Sequence, residues 1–288
     1  MFWNQLKTFI FLISLSAILF LIGFLVAGRS GLFFALIISL FINLGAYFFS
    51  DKLVLKMYGA KPLDESKYAY IYNMVQELCE NANLPMPKLW YIPTSMANAF
   101  ATGRNPAHAS VAVTQGILDI LDEGELRGVL AHELSHVKNR DILIATIAAT
   151  IATTVCYLAD IIRWSAIFGS SSRSENKSSG WGAVLASLIM PIAAMSIQLA
   201  ISRSREYLAD ESGAKISHDP LALASALEKL QSGVKKQHLK PESYAQNSTA
   251  SLFIVNPFFG GGLINLFSTH PPMEKRIEKL RKMSNKYY

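Results

Sequence analysis

Two uncharged apolar runs, Thr8–Ala27 and Ser30–Ser50, constrain what the rest of the chain can do. Both are rich in Leu, Ile and Phe, and each is close to the ~20 residues that cross a ~30 Å hydrocarbon core as a helix. Only Gly28-Arg29-Ser30-Gly31 joins them, so they read as a helical hairpin. Lys7 ahead of the first run invites comparison with a cleavable signal peptide. That alternative fits less well, because the run is long, a second follows at once and no small-residue cleavage site stands out. Ile142–Ala159 and Gly182–Ser202 are two further runs, richer in Ala, Thr and Ser, the second containing Pro191. They read as spanning or deeply embedded helices, with a pair of buried core helices as the alternative. Their connector, Ser170–Gly180, is Ser-rich and reads as an exposed loop.

Composition agrees with a membrane protein. Charged residues make up 17% of the 288, against about 25% in soluble domains, and the mean hydropathy is +0.27. The net charge of +6 comes from basic residues scattered beside the apolar runs. That pattern fits a lipid bilayer as partner and argues against nucleic acid. Lys52, Lys56, Lys61 and Lys67 follow the second run, whereas only Arg29 lies between the first two. The positive-inside bias therefore expects both the amino terminus and the residues after Lys52 in the cytoplasm. The two cysteines, Cys79 and Cys156, have no metal-type or disulfide-type spacing.

The chain divides into an amino-terminal transmembrane hairpin (1–50), a first soluble block (51–141), a second hydrophobic hairpin (142–202) and a second soluble block (203–288). Within the blocks, helices are expected at Ser66–Asn83, Glu125–Val137, Leu221–Leu230 and Pro272–Met283. Short strands are expected at Pro87–Ile92 and Ala109–Val113, with Asn98–Arg104 at an edge or turn. The fold class is mainly α with a small β-sheet, in a multi-pass membrane protein.

The chemistry concentrates in His132-Glu133-Leu134-Ser135-His136. Residues four apart share a helix face, so both imidazoles reach one ion, and neutral imidazole suits Zn²⁺. Glu133 lies one residue further round, where its carboxylate reaches the water rather than the metal; this is the HExxH arrangement. A catalytic zinc site needs a third ligand, and Glu206 supplies it. Glu206 follows the fourth apolar run by about 7–8 Å of helix, and His136 precedes the third by roughly 9 Å. An antiparallel pairing of those runs brings both to one height near the membrane. Glu211 and His218 are weaker alternatives. Asp210, four residues after Glu206, is placed to accept the free ring N–H of a ligand histidine. The plainer reading of Glu206 and Asp210 is a solvated helix face paired with Arg203 and Arg205.

These motifs resemble a known family. Asn98-Ala99-Phe100-Ala101-Thr102-Gly103-Arg104-Asn105-Pro106, Val111–Gly116, Gly128–Asp141, Ser204–Asp210 and Ser268-Thr269-His270-Pro271-Pro272 are similar to the HtpX family of membrane-bound zinc metalloproteases, related to the CAAX prenyl endopeptidases. The resemblance covers nearly the whole chain. It implies a gluzincin-type fold, one Zn²⁺ held by His132, His136 and Glu206, and Glu133 as catalytic base. It also implies a place in the bacterial cytoplasmic (inner) membrane and degradation of damaged or misfolded membrane proteins.

The chemistry expected is peptide hydrolysis, with Glu133 moving the proton and the active site facing the cytoplasm. His270 is a candidate oxyanion donor, and equally a turn residue leading into the last helix. Asn98, Ala99, Phe100 and Ala101 are candidates for binding an extended polypeptide along a strand edge, with a turn-capping role for Asn98 as the alternative. A zinc-stabilised scaffold has no use for Glu133. A transporter would carry its ionisable groups inside the spans.

Overall fold

The computed structural model describes residues 2–147, 203–237, 254 and 271–287. The third and fourth apolar runs, beyond residue 147, lie outside the described residues, as do the connector and His270.

Helix α1, Phe2–Met57, carries both amino-terminal runs. It is not one rod. Asn43 Nδ2 donates to Ser16 Oγ at 2.7 Å, whereas 27 residues of straight helix would hold them about 40 Å apart. The chain folds back at Gly28, whose φ of +56° is left-handed and costs glycine nothing. The hairpin expected at Gly28–Gly31 is therefore present. Gly28–Met57 is the one stretch among the described residues that passes as a candidate membrane span, with a mean hydropathy of 2.2. It leaves Phe33, Phe34, Phe41, Phe48 and Phe49 exposed, as lipid-facing side chains would be.

A four-stranded sheet follows: β1 Lys61–Pro62, β2 Lys88–Ile92, β3 Ala99–Gly103 and β4 Ala109–Thr114, in the order β1-β2-β4-β3. β2 and β4 are parallel; β3 and β4 are antiparallel, with Ala101 opposite Val111. The Asn98–Arg104 segment is thus a full edge strand. Alternation sends side chains to two faces. Leu89, Ala99, Ala101, Val111 and Val113 enter the main core under the helices. Ile92, Phe100 and Ala112 pack with Val54 and Leu55 from the end of α1. The end of α1 and the sheet consequently share a core.

The helices are α2 Ala69–Ala82, α3 Gln115–Ile120, α4 Glu123–Lys138, α5 Arg203–Ser217, α6 Pro220–Gln237 and α7 Met273–Tyr287. α4 is central and almost wholly buried. Its start is fixed by a capping box: Asp122 accepts from the Glu125 N–H, and Glu125 accepts from the Asp122 N–H. Glu125 is tied further to Ser225 and Lys229 of α6, each at 2.6 Å. Gly128 admits α6 at close range, because a Cβ there would meet the Leu223 nitrogen at 2.9 Å.

The hairpin can be tested directly. In a chain with Cys79 and Cys156 replaced by Ser, Ser16→Cys and Asn43→Cys together should cross-link on mild oxidation. A pair that stays reduced under conditions that oxidise a control pair would remove the fold-back.

Candidate metal centre

The site forms where α5 crosses α4. The crossing is antiparallel: Glu206 lies against His136 and Gly213 against His132. A Cβ on Gly213 would stand 2.9 Å from both the Cα and the nitrogen of His132, so only glycine allows this approach. Glu206, Asp210 and Gly213 are spaced to share one face of α5, and the glycine contact aims that face at the two histidines.

His132 Nε2 and His136 Nε2 are 3.3 Å apart. Glu206 reaches them with Oε2 3.8 Å from His132 Nε2 and Oε1 3.6 Å from His136 Nε2. A tetrahedral zinc with ligands at about 2.0–2.1 Å separates them by about 3.3 Å. Two imidazoles and a carboxylate at these separations suit that ion in both chemistry and spacing. The three residues form a metal-competent group, all ligand atoms lying within 4.8 Å of one another. The alternatives for the third ligand lie elsewhere: Glu211 pairs with Lys215 at 2.6 Å on the surface, and His218 is exposed.

Glu133 is buried, and its Oε2 accepts the Ala101 N–H of the edge strand at 2.9 Å. Burial pushes its carboxyl above the ordinary value, with the Glu206 charge adding; His132, His136 and the Ala101 N–H pull the other way. Asp210 Oδ1 stands 3.0 Å from His132 Nδ1, although the ring N–H is not well aligned with it. Asp141 Oδ2 stands 3.5 Å from His136 Nδ1. Each histidine therefore has a carboxylate behind the nitrogen that faces away from the convergence point, which favours the tautomer with Nε2 free to ligate. Burial works against a charged His136, but Asp141, Glu206 and Glu133 outweigh it and raise its value to about 9. A divalent cation would reverse that preference, because only the neutral ring ligates.

Sequence reasoning missed two residues here, Asp141 and Arg276. Arg276 is 0% exposed and grips Asp210 with two hydrogen bonds, Nε to Oδ2 at 2.7 Å and Nη2 to Oδ1 at 2.6 Å. Its Nη1 lies 3.5 Å from Glu206 Oε2. Burial works to raise the Asp210 carboxyl, but Arg276 and His132 hold it down at about 2. The basic run around Lys275 and Arg281 hid Arg276. The usable signal was spacing, since Arg276 falls on the same face of α7 as Met273, Ile277 and Leu280. Asp141 carried no such signal: the left-handed Arg140, φ 58°, lies in the turn that brings its side chain back to His136.

The expected binding residues take up mixed positions. Asn98 is buried and caps no turn. Its backbone pairs with Thr114, its Oδ1 accepts the Ile254 N–H at 3.2 Å, and its Nδ2 is buried with no hydrogen-bond partner among the described residues. Ala99, Phe100 and Ala101 lie on β3, whose five residues are all buried, while the edge away from β4 pairs with no other strand among the described residues.

An HExxH helix, a glutamate from a second helix and an edge strand at the HExxH carboxylate together define a metallopeptidase. The model of peptidase family M48 matches residues 65–284. The chain belongs to the HtpX proteases of that family. It is 53% identical over 283 residues to a protease HtpX homolog of Syntrophobacter fumaroxidans, covering 97% of this chain and 99% of the relative. The corresponding protein of Aquifex aeolicus is 49% identical over 278 residues, covering 95% and 91%. The crystal structure of S. mikatae Ste24p shares the fold, with a TM-score of 0.51 at 18% identity, over 97% of this chain and 67% of that one.

Gly213→Ala should force α5 away from α4, costing about 1–3 kcal/mol of stability and weakening zinc binding at least tenfold in chelator competition. Unchanged affinity would mean that the crossing does not position Glu206. Arg276→Met should destabilise the fold by about 3–5 kcal/mol by stranding Asp210. Adding Asp210→Leu should recover much of the loss in thermal melting; additive losses would show that the two do not act as a pair.

Proposed function

We propose that the chain is a zinc endopeptidase that hydrolyses damaged or misfolded membrane proteins. His132, His136 and Glu206 would hold the ion, Asp210 would orient His132, and Glu133 would act as general base. The observation that carries this reading is the position of Glu133. Its carboxylate feels the charges of His132, His136 and Glu206, yet it is held by the Ala101 N–H of the edge strand and is not one of the three grouped residues. Bound zinc would supply a Lewis acid for the scissile carbonyl and a more acidic water.

The protein's own groups account for the remaining steps. The carboxyl of Glu133, raised by burial, suits proton transfer. It takes a proton from the attacking water as the carbon–oxygen bond forms, then gives it to the amine as the carbon–nitrogen bond breaks. The substrate backbone would lie along β3. Thr114 N–H bonds to the Asn98 carbonyl, so alternation turns Ala99, Ala101 and Gly103 away from β4 and toward the site. We propose that the Asn98 amide serves the same backbone. His270 remains the candidate for stabilising the oxyanion. The setting we propose is the bacterial cytoplasmic membrane, crossed several times, with the site on the cytoplasmic side where Lys52, Lys56, Lys61 and Lys67 lie.

Glu133→Gln should abolish zinc-dependent cleavage of an unfolded membrane protein and leave the metal bound, whereas Glu206→Gln should lose metal and activity together. Metal analysis beside a cleavage assay reads both. Full turnover by Glu133→Gln would falsify the general-base assignment, and full metal content in Glu206→Gln would move the third ligand elsewhere.

A further inference from the structure

The edge strand stands beside the end of the candidate span in a fixed orientation. Phe100 packs on Tyr58, with ring centroids 5.8 Å apart. Arg104, just past the other end of β3, lies over the Phe48 ring at 5.4 Å. From Phe48 to Tyr58 the chain climbs about 15 Å as helix; from Arg104 back to Phe100 it climbs about 14 Å as strand. Two contacts at matching separations make β3 run alongside α1, in the opposite chain direction. Phe48 and Phe49 are the last aromatic residues before Asp51 and Lys52, and both are exposed. The Gly103 end of β3 therefore sits at the bilayer surface and the Ala99 end points away from it.

Resting on the peptidase reading above, we infer that this geometry selects substrates by polarity and by distance from the membrane: the preferred target is the extended segment that follows a membrane span in chain order. Antiparallel pairing with an edge strand is the more stable kind. A substrate antiparallel to β3 has its amino-terminal side at Gly103, by the membrane, and its carboxy-terminal side at Ala99. A chain emerging from the bilayer in the N-to-C direction threads straight into this path. One entering the bilayer runs the wrong way. Glu133 meets the strand at Ala101, three residues or about 10 Å from Arg104. The scissile bond then falls within about six extended residues of the last apolar residue of the substrate's span.

The test uses full-length protein in liposomes with zinc and two single-span peptides. Both carry the same 20-residue unstructured segment, attached after the span in one and before it in the other. A third sample is that segment free of any span. We expect the after-span peptide to be cut at least tenfold faster than the before-span peptide, within about six residues of the span. A three-residue Gly-Ser spacer next to the span should shift the cut to the bond three residues earlier in the 20-residue segment, so that its distance from the bilayer is unchanged. Equal rates for the two polarities, or a cut that stays at one sequence position whatever the spacer, would overturn the inference while zinc-dependent cleavage of the free segment left the peptidase reading intact. Failure to cut all three would overturn both.

Discussion

His132, Glu133, Glu206, Asp210 and Arg276 are buried together, and the rest of the structure depends on how their charges are balanced. Three carboxylates cannot share a low-dielectric pocket unaided. Arg276, inserted from α7, meets two of them, and the Ala101 N–H meets the third. A divalent cation at the ligand atoms would complete the balance. This arrangement explains why the last helix belongs to the site although it carries none of the three grouped residues. It also explains why α4 is anchored so firmly at its start through Asp122, Glu125, Ser225 and Lys229. A site built from opposing charges tolerates little movement of the helices that bear them.

The grouping of His132, His136 and Glu206 was legible in the sequence because helical spacing is local and strict. His132 and His136 share a face whatever surrounds them, and Glu206 could be placed by counting turns from the apolar runs. Strands were legible to within a residue or two where alternation was clean, as at Lys88–Ile92 and Ala109–Thr114. Ala99–Gly103 was harder. Ala-Phe-Ala-Thr-Gly has no polar partner set to alternate with, because both of its faces are covered. Arg276 and Asp141 were missed for a different reason. What they do depends on which helix or turn the fold brings beside them, and that is long-range information that no local pattern carries.

The glycines show the same division. Gly28 could be read from sequence, since it sits between two apolar runs that must reverse direction. Gly213 could not, because its neighbour His132 lies 81 positions away in the chain. A single missing methyl group there sets the height of Glu206 against the histidines, so metal geometry and helix packing cannot be varied separately.

The shared core of Val54, Leu55, Ile92, Phe100 and Ala112 has a practical consequence. Helix α1 is not a leash on an independent enzyme; its final turns are one wall of the sheet. A recombinant fragment starting after Met57 would uncover the underside of β2, β3 and β4 to water, and with it the strand that holds Glu133. The smallest self-sufficient piece of this protease begins upstream of Val54, so its catalytic half cannot be excised as a soluble protein without designing a replacement for that wall.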